Sequence, residues 1–374
     1  TDETFILSGA NTYTGDTTIT DGTLLTAGSG VIADTSDVNV TGTLTLGGSE
    51  TVGDLSGSGT VDNGGNSFTF GDDEDTTFSG ILSGAGDVTY QGSGVFTHSG
   101  DSTYTGDTNI NGGTFNVTGT LDSTALTILN GATLQLSKAG GSSLVNDANI
   151  EVTNGTFDVD TDQQIADLDQ SANGTTELAA DLTISGDTES TSEIAGSVTG
   201  TGDLNIAGET TVNLTGTNSS TGSTNVSGNN ENEVASYNIQ GTSSAGTLNI
   251  NSFGQVDLTG TAGDVNVNNN GLLRTTQGAV DTATINGDLT VSDGGTLDVD
   301  ISNNNGTLTN DVYNVDGNVN LLANAIVAIN DIGPSAVALG NAFEFVTYTG
   351  TNDGAANMDQ VRLQESLSDV AFSM

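Results

Sequence analysis

The chain has no cysteine and no tryptophan, one proline, one histidine and three basic residues in 374. Without cysteine there are no disulfides, no thiolate zinc sites and no cysteine nucleophile. Three Lys and Arg against 48 Asp and Glu leave a formal net charge of −45. Such a chain cannot neutralise phosphates, which excludes nucleic-acid binding and a polybasic contact with anionic lipid. No apolar run reaches the roughly 18 residues of a membrane-spanning helix. Thr1-Asp2-Glu3-Thr4 carries no signal-peptide pattern, and Phe372-Ser373-Met374 reads as a strand in progress. The chain is therefore expected to be an internal piece of something longer.

A hydrophobic fraction of 33% with so much charge would ordinarily mean disorder. Regular apolar punctuation argues otherwise. Leu44-Thr45-Leu46, Phe68-Thr69-Phe70, Leu134-Gln135-Leu136, Val265-Asn266-Val267 and Leu297-Asp298-Val299 all alternate apolar, polar, apolar. That period of two marks half-buried strands, and the Gly, Asn and Asp around them mark turns. The chain is all-β.

Self-comparison shows repeats. Leu7-Ser8-Gly9-Ala10-Asn11-Thr12-Tyr13-Thr14-Gly15-Asp16-Thr17-Thr18-Ile19 recurs as His98-Ser99-Gly100-Asp101-Ser102-Thr103-Tyr104-Thr105-Gly106-Asp107-Thr108-Asn109-Ile110. A looser third copy runs from Leu214 to Val226. A second theme pairs Ile81–Val88 with Ser197–Leu204, and a third pairs Thr51–Leu55 with Gln164–Leu168. Strands this short cannot each bury a face alone, but stacked coils pair every backbone group with the coil above and below. At roughly 22 residues per coil the chain would make about 17 coils.

These repeats resemble the passenger-associated repeat of bacterial autotransporters and related adhesins, over residues 1–300. Asp311–Gly317 with Leu339–Gly350 looks like the module that often closes such passengers. The resemblance implies a right-handed parallel β-helix, secreted and displayed on a bacterial surface. The expected organisation is a repeat-built solenoid over 1–305, then C-terminal coils and a capping module over 306–374. Val319–Val346, with the sole Pro334, is the expected cap against edge pairing.

Chemistry is sparse. A Ser/His/Asp triad would have to use His98. Repeat alignment sets His98 where the other copies have Leu7 and Leu214, so strand parity points it into the stack. His98→Leu is accordingly expected to be neutral or stabilising. Asp158, Asp160 and Asp162 imitate a calcium loop, but Gln163 stands where the sharp turn demands Gly. Asp72, Asp73, Glu74 and Asp75 form an acidic turn able to attract Ca²⁺, although a solvated charge run is the plainer reading. No cluster of sugar-stacking aromatics stands out. Of the trypsin sites, Lys138 and Arg274 sit among strand and turn signals. Arg362 follows weaker patterning and is expected to be cut first.

The sequence thus reads as a non-catalytic extracellular rod or adhesin whose partners are cell-surface or matrix components, polysaccharide among them, or other copies of itself. The alternatives are a carbohydrate-active β-helix enzyme, hydrolase or lyase, and a Ca²⁺-dependent surface filament or surface-layer unit.

Overall fold

A computed structural model describes residues 3–186, 190–335, 343–351 and 362–365. All regular structure in it is strand, nearly all paired in parallel, and about 14 turns stack as a β-solenoid. The turns are fewer than the 17 expected because some are long. Rung-to-rung contacts join residues 17 to 25 apart, then 30 apart near the C-terminal end. There Thr296–Asn304 folds back on Thr307–Asn310 as an antiparallel hairpin inside one turn. Among the described residues no helix is long and apolar enough to cross a membrane, which says nothing about β-barrels.

The chain forms two compact units, Thr1–Leu182 and Thr183–Met374. In the first, one ladder stacks Phe68–Phe70, Val88–Tyr90, Thr108–Ile110, Ala125–Ile128, Asn149–Val152 and Asp167–Gln170 in register. A second stacks Thr76–Phe78, Val95–His98, Thr114–Val117, Thr133–Leu136, Thr156–Val159 and Thr175–Leu178. A third face begins with Thr4–Leu7, Thr23–Thr26, Thr43–Leu46, Thr60–Asp62 and Ile81–Ser83. The alternating pattern dictates the result: Leu44, Phe96, Phe115 and Leu134 point inward and are buried, while Thr45, Thr97, Asn116 and Gln135 face outward. Thr suits these outward positions because its β-branched side chain fits the pleat.

In the second unit, one ladder runs through Thr191–Ile194, Thr211–Leu214, Ala235–Ile239, Gly254–Leu258, Leu272–Arg274, Thr296–Asn304 and Ile326–Asp331. A second takes Leu204–Ala207, Thr224–Ser227, the ends of Thr242–Ile250 and Thr261–Val267, Leu289–Val291 and Val319–Leu321. Strands Val319–Leu321, Ile326–Asp331 and Val346–Tyr348 each join a ladder of the preceding turn. The rest of the expected cap, 336–342, lies outside the described residues.

The third repeat theme is not a structural repeat. Thr51 sits in the ladder with Thr69, and the chain leaves that ladder to reach Leu55, paired with Val38. Gln164–Leu168 instead enters the same ladder, where Leu168 pairs with Ile150. The two segments turn different corners.

Lys138 lies in an excursion, 137–148, between Thr133–Leu136 and Asn149–Val152. Gly140 and Gly141 there have φ of +77° and +146°, and a Cβ on either would meet open space. Arg274 lies within a strand and donates twice to Asp257, at 2.6 and 3.0 Å. Arg362, expected to be the first cut, opens strand Arg362–Glu365, paired with Ile326–Ile329. Trypsin should therefore cleave the native protein after Lys138 well before Arg274. Mass analysis of fragments over a digestion time course checks this, and early cleavage at Arg274 would mean that its rung opens locally.

Candidate functional site

His98 is 0% exposed, as its repeat position requires. Its Nε2 and the Ser102 hydroxyl are hydrogen-bonded at 2.8 Å, and Ser102 Oγ accepts the Leu82 N–H at 2.9 Å. Nδ1 has no hydrogen-bond partner. The ring lies between Phe78 and Phe96, with centroids 6.1 and 6.4 Å away. Burial pushes the imidazole down to about 4, with Asp101 and the Phe78 carbonyl opposing. A serine beside a neutral histidine looks like the start of a nucleophilic site. Ser102, however, is as buried as the histidine, and no carboxylate orients the ring from Nδ1.

The other repeat copies explain the pair. Where copy two has His98 and Ser102, copy one has Leu7 and Asn11, and copy three has Leu214 and Asn218. Asn11 Nδ2 donates to the Gly9 and Val31 carbonyls at 2.9 and 2.8 Å. Asn218 Nδ2 donates to Thr224 Oγ1 at 3.0 Å. Each copy thus sets one inward polar group at this corner. In copy two that group is Ser102, which the imidazole Nε2 and the Leu82 N–H both meet, while Nδ1 stays unpaired. His98→Leu alone would remove one of the two partners of the Ser102 hydroxyl. The neutral outcome expected from sequence applies only when Ser102 changes too.

Copies one and two make the same local bond in different surroundings. Tyr13 meets Thr17 Oγ1 at 2.7 Å, and Tyr104 meets Thr108 Oγ1 at 2.6 Å. Tyr104 is 0% exposed and Tyr13 is 36% exposed. In copy two the Leu82 and Gly84 carbonyls of the preceding coil accept the Thr103 and Thr105 N–H groups.

The acidic candidates occupy corners. Asp72, Asp73, Glu74 and Asp75 are all exposed. Buried Asp54 accepts the backbone N–H groups of Asp72 and Glu74 at 2.9 and 3.3 Å, and Asp75 accepts Val95 N–H at 2.8 Å. Asp158 faces outward beside Glu177 on the next rung. Burial first, then Asp160 and Glu177, push its carboxyl up to about 6. Asp160 accepts Gln135 Nε2 at 2.8 Å, and Asp162 accepts Asp181 N–H at 3.3 Å. Gln135 thus serves both Asp158 and Asp160, while Asp162 turns to the Asp181 backbone. No group of three or more His, Cys, Asp or Glu side chains placed to hold a metal ion occurs among the described residues.

Many carboxylates do one repeated job that pattern reading missed. Asp37 Oδ1 accepts Asp54 N–H at 2.8 Å, Asp87 accepts Asp107 N–H at 3.0 Å, and Asp203 accepts Ser223 N–H at 2.7 Å. Asp264 accepts Asp288 N–H at 2.8 Å and Asp288 accepts Asn318 N–H at 2.7 Å. Each corner carboxylate satisfies an N–H of the next coil that no strand pairs. A glycine precedes most of these residues, and its Cβ would strike the glycine carbonyl one coil earlier: 2.3 Å for Gly106 on Gly86, 2.1 Å for Gly222 on Gly202, and 2.4 Å for Gly317 on Gly287. The recurrent Gly-Asp dipeptide was the available signal.

The aromatic residues, too, gather where the sequence did not show it. Phe70, Tyr90, Phe96 and Phe115 form one interior cluster, with Phe70–Phe96 and Phe96–Phe115 centroids 4.6 and 5.1 Å apart. They stack on each other inside the coils, so they are core and not a sugar platform.

Compared with known families, the chain matches the passenger-associated-transport-repeat at residues 2–25 and 88–117. These spans contain copies one and two; the third copy and the expected closing module lie outside them. No curated protein matches the chain. The chain is a β-solenoid repeat protein, and two of its repeats, set in stacked parallel rungs, are similar to those of autotransporter passengers.

Proposed function

We propose that the chain is a structural and adhesive passenger segment, displayed outside a bacterial cell and acting by its surface rather than by catalysis. The observation that carries this reading is the use made of its polar interior. The Ser–His pair and the corner carboxylates are engaged with neighbouring rungs, while the outward columns present Thr, Asn, Asp and Glu. An excess of 48 acidic over 3 basic residues keeps such surfaces hydrated and apart. The passenger repeat family supports an extracellular setting.

Beads coated with the purified chain, counted on cell monolayers and on polysaccharide matrix, test the adhesive part. Retention should be several-fold above albumin-coated beads. Equal retention would remove adhesion, and release of new reducing ends from the matrix would remove the non-catalytic reading.

A further inference from the structure

One outward face of the second unit carries a continuous ladder of hydrogen-bonded side-chain amides. Along Leu204–Ala207, Thr224–Ser227, Thr242–Ile250 and Thr261–Val267 the outward column is Asn205, Asn225, Asn249 and Asn266, in register. Each amide donates to the one before it, at 2.9, 2.9 and 3.1 Å. Two residues along the strands a second column repeats the device, Asn268 donating to Asn251 at 3.0 Å. All six are half-exposed. No charged side chain interrupts either column; the acids Asp203, Asp264 and Asp288 stand along one border.

An asparagine side chain has two N–H groups and two carbonyl lone pairs. An interior ladder member gives one of each to its neighbours and keeps the others, although Asn225 also reaches Asp203 at 3.5 Å. The ladder holds each amide in one orientation, so a partner need not order it. The result is a flat grid of donors and acceptors, about 4.8 Å apart between rungs and roughly 6.6 Å apart along a strand. The acidic border repels anions and accepts hydroxyl hydrogen bonds. A basic partner would be drawn to the acidic faces instead, and a second copy brings its own −45 charge.

From this charge complementarity we infer that the Asn205–Asn266 face is a docking surface for an uncharged, hydroxyl-rich polysaccharide chain. A sugar ring offers both donors and acceptors and advances its polymer by about one rung spacing. The inference rests on the adhesive reading above and names its surface and partner class.

Co-sedimentation with microcrystalline cellulose, chitin and cross-linked dextran, with alginate gel as the anionic comparison, tests it. The intact chain should bind at least one neutral polymer and not alginate. The triple variant Asn225→Ala, Asn249→Ala, Asn266→Ala should lose at least about tenfold in affinity. Asn213→Ala with Asn238→Ala removes a different ladder, in which Asn238 donates to Asn213 at 2.7 Å and Asn213 to Glu193. That variant should bind within about twofold of the parent. Far-UV circular dichroism and melting confirm that both variants fold, and if the triple variant does not, Asn249→Asp alone, adding charge to the grid, replaces it. No binding to any neutral polymer, or equal loss in both variants, overturns the site. Face-to-face dimers by sedimentation velocity that vanish in the triple variant would assign the surface to a second copy instead. If coated beads still adhere to cells while neutral polymers neither bind nor compete, this site fails and the adhesive reading stands. If the beads do not adhere, the underlying reading fails.

Discussion

Phe96→Ala should cost about 3–5 kcal/mol of stability, and Thr97→Ala less than about 1 kcal/mol, although the two residues are neighbours in one strand. Phe96 is 0% exposed and packs against Phe70, Tyr90 and Phe115. Truncating it removes the ring's transfer energy and leaves a cavity that backbone ladders on every side keep from collapsing. Thr97 faces outward, so little burial is lost with it. Urea unfolding of both variants measures the contrast. Equal costs would mean that stability does not follow the inward–outward alternation of the strand.

The stability of the protein should also fall between pH 6.5 and 4 by about 3 kcal/mol through His98 alone. The sign follows from burial. The folded imidazole titrates near 4, whereas the unfolded one titrates near its ordinary 6.5. Between these values the unfolded chain binds a proton that the folded chain refuses, so the contribution is complete above 6.5 and lost as pH falls toward 4. Asp158 acts oppositely: its folded pKa is raised to about 6, so its effect favours the folded state as pH falls through that value. The His98 share is therefore read as a difference between the parent and a variant lacking the imidazole. Parallel pH profiles for the two would show that the ring is solvated.

The architecture was legible in the sequence because strand periodicity and repeat register are local. Leu44-Thr45-Leu46 reads as a strand without knowledge of its neighbours, and His98 could be placed inward from Leu7 and Leu214. What stayed hidden was whatever depends on the contact between coils. The Gly-Asp corners stack only when Gly106 lies on Gly86, and Phe70 meets Phe96 only after the chain has turned a corner. The Asn205–Asn266 column looked like scattered polar residues until register aligned it. The acidic candidates show the converse. Asp158, Asp160 and Asp162 are spaced like ligands in sequence, but Asp158 and Asp160 meet Gln135 while the following corner carries Asp162 to the Asp181 backbone.

The central claim is that each repeat is an interchangeable structural rung whose inward polar corner must be satisfied, and that His98 with Ser102 is one solution among several. Transplanting the solution of the other copies tests it most directly, by urea unfolding at pH 7 and at pH 4.5 of His98→Leu, Ser102→Asn and the double variant. Each single change should destabilise at pH 7 by about 1–3 kcal/mol, from a stranded polar group or a crowded one. The double variant should return to within roughly 0.5 kcal/mol of the parent and lose the His98 share of the pH dependence. Additive losses in the double variant, or a pH response unchanged by it, would contradict the claim.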